Sequence, residues 1–116
     1  MPEPRLALHL SDELREIVDA DDVYYFEALG GDTRVRLRAK RTRRDVRQLG
    51  GITRLLKPHG FFRIHRSYLV NLTRIRLLRR ASDGGWEVKL ESPVNRILPV
   101  SRRYAPALLR ALDHLG

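Results

Sequence analysis

Residues 33–39, TRVRLRA, alternate strictly between apolar and arginine side chains. Successive side chains of a β-strand point to opposite faces, so this pattern predicts a strand with Val35, Leu37 and Ala39 in the core and its arginines toward solvent. The preceding GGD, residues 30–32, predicts a tight hairpin turn from the strand before it. The chain is therefore expected to build antiparallel sheets.

Short strands recur along the rest of the chain. Residues 16–29 are rich in β-branched and aromatic types, with DADD as a turn between two strands, and KRTRRDVRQ at 40–48 reads as a turn and a short edge strand. Further strands are expected at 6–10, 61–66, 68–79, 86–90 and 96–100. The 116 residues are thus predicted to form one mainly β domain.

Two segments have helical spacing instead. LGGITRLLKPHG, residues 49–60, predicts a short internal helix that is held by packing and ends at Pro58 and Gly60. A C-terminal helix follows residue 100, where Ser101 can cap the N-terminus. Pro106 would lie too deep in a helix that starts at Arg102, so a start near Ala105 is the alternative. Its leucine stripe covers the core or mediates dimerisation.

Charge is unevenly distributed. The formal net charge is +9, yet residues 1–33 hold two arginines against nine acidic residues, and residues 34–80 hold sixteen basic residues against Asp45 alone. A basic block inside a folded domain favours a polyanionic partner. The acidic first third either repels DNA and so orients the basic face, or pairs with the arginine cluster; the sequence leaves both open.

Several classes of function lack their motifs. There is no cysteine, no phosphate-binding glycine-rich loop and no histidine pair at metal-ligand spacing, so we expect neither an enzyme nor a bound metal or cofactor. No apolar run is long enough to cross a membrane, and no export signal is recognisable. We therefore expect a cytoplasmic protein with no membrane partner and no small-molecule substrate.

The most hydrophobic segment, FFRIHRSYLVNLTRI at 61–75, also carries hydrogen-bonding side chains. A bend after Ser67 would place His65, Arg66 and Ser67 at a strand corner beside the basic block, where they suit phosphate oxygens and base edges. His65 and Ser67 could equally hold the corner's backbone, and Arg66 could pair with a carboxylate of the first third. For Asn71, satisfying backbone groups in a bend is the favoured role.

This segment resembles the core signature of the LytTR family, the DNA-binding domains of bacterial transcription regulators. DADDVYYFEALGGDTRVRL resembles the family's first hairpin and LPVSRRY the segment that closes its domain. The resemblance covers roughly residues 16–112 of a single domain, 1–116. It implies an elongated set of small antiparallel β-sheets with a short helix, which reads DNA by inserting loop residues into successive major grooves.

The resemblance also implies which residues meet double-stranded DNA, with a possible homodimer on direct repeats. Contacts to bases or grooves are expected from Thr33, Arg34, His65, Arg66, Ser67, Arg102 and Arg103. Contacts to phosphates are expected from Lys57, Arg63 and Ser101. Two features depart from the family's pattern: the Gly-Gly inside the helix, and a KRTRR segment basic enough to strengthen nonspecific binding.

Two other functions remain as alternatives. An RNA-binding β module would need exposed stacking aromatics, for which Tyr24, Tyr25, Phe61 and Phe62 are the candidates. A domain that binds a protein or an anionic ligand would show a salt-insensitive partner, or no DNA binding at low salt.

Overall fold

The computed structural model describes residues 4–115, which form ten strands and two helices. The strands are β1 (Arg5–Ser11), β2 (Leu14–Asp19), β3 (Val23–Leu29), β4 (Asp32–Leu37), β5 (Thr42–Asp45), β6 (Phe61–His65), β7 (Tyr68–Asn71), β8 (Ile75–Arg80), β9 (Trp86–Leu90) and β10 (Ile97–Val100). The helices are α1 (Leu49–Leu56) and α2 (Ala105–Asp113).

All paired strands run antiparallel, in three sheets. β1 and β2 form a hairpin, a five-stranded sheet has the order β5-β4-β3-β7-β6, and a three-stranded sheet has the order β10-β9-β8. The molecule measures 44 × 36 × 25 Å along its principal axes. The predicted mainly β, antiparallel fold with one internal and one C-terminal helix is confirmed.

The alternation in β4 behaves as predicted until the strand ends. Val35 and Leu37 are fully buried, but Ala39 is exposed and adopts a φ of +62°. The chain turns back at this point, where the N–H of Leu37 donates to the carbonyl of Arg41 at 2.8 Å. The expected core position of Ala39 is wrong because the turn begins before the sequence alternation stops.

The internal helix is shorter than its sequence pattern. α1 ends at Leu56, a 3-10 turn follows at Lys57–His59, and Gly60 closes it with a φ of +83°. That left-handed conformation costs glycine little, so Gly60 acts as the stop signal. Leu49 and Ile52 are buried in the core with Phe26 and Phe61. Packing of this face offsets the low helix propensity of Gly50 and Gly51.

The strand expected over 68–79 is interrupted. β7 ends at Asn71, and a 3-10 turn separates it from β8. The buried amide of Asn71 donates to the carbonyls of Ala20 and Val23 at 3.1 and 3.0 Å and accepts from the N–H of Thr73 at 3.1 Å. The predicted role of Asn71 in satisfying backbone groups at a bend is confirmed.

The C-terminal helix begins at Ala105, with Tyr104 at its N-cap and Pro106 in its first turn. The second of the two predicted starts is therefore the correct one, and Ser101 does not cap the helix with its side chain. Leu108 is fully buried, whereas Leu115 is 74% exposed, so only part of the leucine stripe covers the core.

Candidate nucleic-acid interface

The basic block of the sequence is partly neutralised by the acidic first third. Arg43 pairs with Glu16 at 2.7 Å, Arg38 with Asp22 at 3.2 Å, and Arg44 with Asp32. Of the two roles left open for the acidic residues, pairing with arginines is the one that the structure shows. The KRTRR segment consequently presents less free charge to a polyanion than its composition indicates.

A different group of cations has no such partners. Within residues 4–115, none of the six cationic residues predicted to meet DNA forms an ion pair with a carboxylate; they are Arg34, Lys57, Arg63, Arg66, Arg102 and Arg103. The alternative in which Arg66 pairs with the first third is therefore not what the structure shows. Five of the six are exposed, and Arg63 is half-buried.

One row of side chains crosses the whole five-stranded sheet. Its members are directly opposite one another from strand to strand, in the order Arg44, Arg34, Glu27, Tyr68 and His65. Directly opposite residues share a face, so all five point to the same side of the sheet. At about 4.8 Å per strand, the row spans roughly 19 Å. It places the first predicted contact segment, at Arg34, in line with the second, at His65.

The corner between β6 and β7 holds the second segment. The N–H of Ser67 donates to Nδ1 of His65 at 3.0 Å, and the carbonyl of Ser67 accepts from the N–H of Ala28 in β3 at 2.9 Å. Arg66 projects from this fixed corner into solvent. An exposed arginine on a rigid backbone is suited to bidentate recognition of guanine or phosphate.

Arg63 holds the same corner from the other side. Its Nε donates to the carbonyl of His65 at 2.7 Å, Nη1 donates to Oγ1 of Thr53 at 3.1 Å, and Nη2 donates to the carbonyl of Arg66. All three guanidinium nitrogens are thus engaged within the protein. This contribution of Arg63 was missed in the sequence, because a strand residue's bonds to the next turn depend on how sharply the chain bends.

The protonation state of His65 follows from its surroundings. Because Nδ1 accepts a hydrogen bond, the neutral ring carries its proton on Nε2 and offers a donor there. Burial, followed by the positive charges of Arg66 and Arg63, lowers the pKa of His65 below its ordinary value. The ring is therefore a neutral donor at neutral pH, which fits acceptors such as phosphate oxygens and guanine N7.

The third segment adjoins the second. The N–H of Ser101, just after β10, donates to the carbonyl of Ile64 in β6 at 2.9 Å. Arg102 and Arg103 are both exposed, and the guanidinium of Arg103 lies 5.4 Å from the centre of the Tyr104 ring. The second and third predicted contact segments are therefore joined by a backbone hydrogen bond, whereas β3 lies between β4, which carries the first segment, and β7.

Arg96 covers the middle of the row and was not singled out in the sequence. Its guanidinium donates to the Tyr25 hydroxyl at 2.6 Å and lies 3.8 Å from a carboxylate oxygen of Glu27. The Tyr68 hydroxyl donates to Glu27 at 3.3 Å, and the His65 ring lies 5.6 Å from that of Tyr68. These contacts join residues up to 71 positions apart, which no local pattern reveals.

Two predicted contact residues have their side chains inside the protein. Thr33 is 1% exposed, and its hydroxyl donates to the carbonyl of Arg47 at 2.8 Å. The hydroxyl oxygen of Ser101 is also inaccessible and has no hydrogen-bond partner within the described part of the chain. Neither hydroxyl is presented at the surface of this structure.

Asp45 and Arg47 secure the β1–β2 hairpin to the sheet that carries the row. The buried carboxylate of Asp45 accepts from the N–H of His9 at 2.9 Å and from the Arg47 guanidinium at 2.8 Å. Burial alone would raise the pKa of Asp45, but the hydrogen bonds from Arg47 and from backbone N–H groups lower it. Arg47 also donates to the carbonyl of Ala7 at 3.1 Å.

The aromatic candidates for RNA stacking are mostly buried. Tyr24, Tyr25 and Phe61 are at most 3% exposed, and Phe62 is half-buried. The criterion of two or more exposed aromatics on one sheet face is not met. Among residues 4–115 there is no cluster of histidine and acidic side chains that could hold a metal ion, and no helix long and apolar enough to cross a membrane.

Comparison with known proteins identifies similar sequences and folds. The family model of the LytTR DNA-binding domain matches residues 15–113. The chain is 33% identical over 90 residues to the CO-responsive transcriptional regulator RcoM of Rhodospirillum rubrum; the match covers 78% of the chain and 37% of that relative. A solved LytTR DNA-binding domain of a putative methyl-accepting/DNA response regulator from Bacillus cereus superimposes with a TM-score of 0.76 and 23% identity, over 96% of this chain and 98% of that one.

Proposed function

The chain belongs to the LytTR family of DNA-binding domains, and on that premise we propose that it binds double-stranded DNA sequence-specifically as part of a bacterial transcriptional regulator. The observation that carries the proposal is a set of three exposed arginines that form no ion pair within residues 4–115: Arg34 on the row, Arg66 at the β6–β7 corner and Arg103 after β10, where the N–H of Ser101 bonds to β6. We place its action in the cytoplasm, on the chromosome.

In this proposal the arginines read bases in successive major grooves. Each bidentate pair between an arginine and a guanine contributes roughly 1–3 kcal/mol of discrimination. His65 donates from Nε2 to an acceptor beside Arg66, and Ser67 offers a short polar group at the same corner. Arg102 contacts the DNA next to Arg103. Lys57 contacts phosphate, and neutralisation of phosphates supplies most of the affinity.

The engaged or buried residues take supporting roles. Arg63 positions His65 and Arg66 by holding their carbonyl groups. Ser101 holds the third segment against β6 through its backbone N–H, and Thr33 ties β4 to the chain after β5 through its hydroxyl. A phosphate contact by Arg63 or Ser101, or a base contact by Thr33, would require these side chains to leave the partners or burial that they have here.

Two copies would occupy direct repeats of one site. Direct repeats require the same orientation of both copies along the duplex, so their contact joins two different surfaces of the domain. Binding of this kind is measured as cooperativity on a duplex with two repeats and its loss on a duplex with one.

Selection of bound duplexes from a random pool at two salt concentrations tests the proposal. We expect one recurring sequence motif at both concentrations, with an affinity that falls steeply as salt rises. Recovery of duplexes without a common motif would contradict sequence-specific binding. Because the aromatic candidates for RNA stacking are mostly buried, a structured single-stranded RNA pool serves as the negative control.

A further inference from the structure

A groove outside the row separates the β8–β9 hairpin from the start of α2. It has a volume of about 610 Å³, and its walls include Arg80 and Trp86 on the hairpin and Ser101 and Arg102 after β10. Arg102 is a predicted DNA contact, but nothing in the sequence or in the row involves Arg80 or Trp86. The groove thus extends the third contact segment toward the far end of the hairpin.

Arg80 is held in place without being neutralised. Its Nη1 donates to the carbonyl of Gly84 at 2.8 Å, and its guanidinium lies 4.3 Å from the centre of the Trp86 ring. No carboxylate among residues 4–115 pairs with it. The preceding arginine differs: Arg79 forms an ion pair with Glu87 at 2.8 Å and is absent from the groove. A fixed and unpaired guanidinium is preorganised for an anion.

The opposite wall also favours negative charge. Arg102 is exposed and carries no ion pair within the described residues. The first turn of α2 lines the groove through Ala105 and Pro106, but the N–H of Ala105 donates to the carbonyl of Ser101 at 3.0 Å and Pro106 has no N–H, so Arg102 supplies the charge of this wall. Among the described residues that line the groove, Asp83 is the one acidic residue, and its carboxylate accepts from the N–H of Gly85 at 2.9 Å within the hairpin turn.

We propose that this groove holds the sugar-phosphate backbone of the duplex just beyond the base pair that Arg103 reads, with Arg80 and Arg102 contacting phosphates of one strand from opposite walls. This inference rests on the proposed DNA-binding function and adds to it a fourth contact segment, the β8–β9 hairpin. The chemistry required is a phosphate oxygen against guanidinium groups, which a phosphodiester of DNA and a free phosphate both offer.

Trp86 is the sole tryptophan of the chain, so its fluorescence reports on the groove without a label. The probe is a duplex recovered from the random pool with about ten extra base pairs on each side. We expect a change in emission with this duplex, and a much smaller change with a duplex trimmed on the Arg103 side or carrying neutral methylphosphonates there. A change with inorganic phosphate or a mononucleotide, and none with the long duplex, would overturn the proposal in favour of a free anion.

Matched substitutions separate the groove from general charge. Arg80→Gln is expected to weaken binding of the long duplex roughly tenfold at low salt and to reduce the salt slope by about 1. Arg79→Gln removes the same charge one residue away and is expected to leave the affinity and the salt slope nearly unchanged. Arg80→Lys is expected to have a salt slope between those of Arg80→Gln and the wild type. Asp83→Asn keeps the hydrogen-bond acceptor in the turn and should strengthen binding, a gain that misfolding cannot imitate.

The outcomes also separate this inference from the proposed function. If the wild type selects a motif and Arg80→Gln binds the long and trimmed duplexes as the wild type does, the groove is not a contact and the DNA-binding function stands. Equal losses in Arg79→Gln and Arg80→Gln would likewise reject the groove, because they would show a nonspecific charge effect. If the wild type binds no duplex, both proposals fail together.

Discussion

The backbone N–H of Ser67 donates to Nδ1 of His65 at 3.0 Å, so the imidazole and the turn after β6 hold each other in place. The bond requires an unprotonated Nδ1. A proton added to His65 at that nitrogen would remove the acceptor and place a positive charge between Arg63 and Arg66, which burial and these two arginines oppose.

Stability should therefore fall as pH is lowered below the ordinary histidine value. The pKa of His65 is lowered in the folded protein, so below about pH 6.5 the unfolded chain binds more protons than the folded one. The free energy of unfolding then rises with pH across the window between the lowered and the ordinary pKa. Urea unfolding of the wild type and of His65→Gln at about pH 7.5 and 5.5 measures this.

The His65→Gln variant should lose less stability over that interval than the wild type. Burial also lowers the pKa of His9, so His9 adds a loss of stability at low pH in the same direction to both proteins. The difference between wild type and variant therefore isolates the contribution of His65. An identical loss in wild type and variant would show that the Ser67–His65 bond is not linked to protonation.

Asn71→Ala should destabilise the fold without altering the interface residues directly. The substitution leaves the buried carbonyls of Ala20 and Val23 without a donor and removes the acceptor for the N–H of Thr73. The expected loss is about 2–3 kcal/mol in the free energy of unfolding, measured with urea. Thr73→Val removes only one hydroxyl bond and serves as a control, for which a loss below about 1.5 kcal/mol is expected.

Arg63→Met distinguishes positioning from phosphate contact. If Arg63 supports the corner, the variant should lose about 1–2 kcal/mol of stability and some preference for the selected motif, with its salt slope nearly unchanged. Arg54→Met removes an exposed positive charge from α1 and controls for the effect of losing one charge from the domain as a whole. A salt slope reduced by about 1, at wild-type stability, would return Arg63 to the phosphate contacts first predicted for it.

Lys57→Ala should weaken binding to all duplexes by a similar factor. Lys57 is exposed at the end of α1 and has no ion pair within the described chain, so its contribution to binding is expected to be charge alone. Affinities for the selected motif and for a scrambled duplex should fall together, with a salt slope reduced by about 1. A loss confined to the selected motif would assign Lys57 to base recognition.

The sequence predicted the fold class because its strands are short and carry clear alternation and turn residues. Val35 and Leu37 of β4 and the turn at DADD were local signals, and each was confirmed. The failures came where the end of an element depends on other strands. Ala39 lost its core position to a turn, and the strand at 68–79 was divided by a side chain that binds residues about fifty positions away.

The candidate site was less predictable than the fold. Family resemblance pointed to the three segments, but whether an arginine is free or paired depends on register between distant strands. Arg43 and Glu16 are 27 residues apart, and Arg96 and Tyr25 are 71 apart. By alternation alone, Arg34 is a surface position and Thr33 is a core position. The observed burial of Thr33 agrees with the alternation and not with the DNA contact that the family resemblance implied.

The most direct test of the account is to repeat the random-pool selection with Arg34→Ala, Arg66→Ala and Arg103→Ala. Because the three arginines lie on different segments, at β4, at the β6–β7 corner and after β10, each variant is expected to lose preference at its own position in the motif, by roughly 1–3 kcal/mol, and to keep it at the other two. If the three variants instead bind every duplex more weakly by the same factor, with the motif unchanged, these arginines do not read bases and the central claim is wrong.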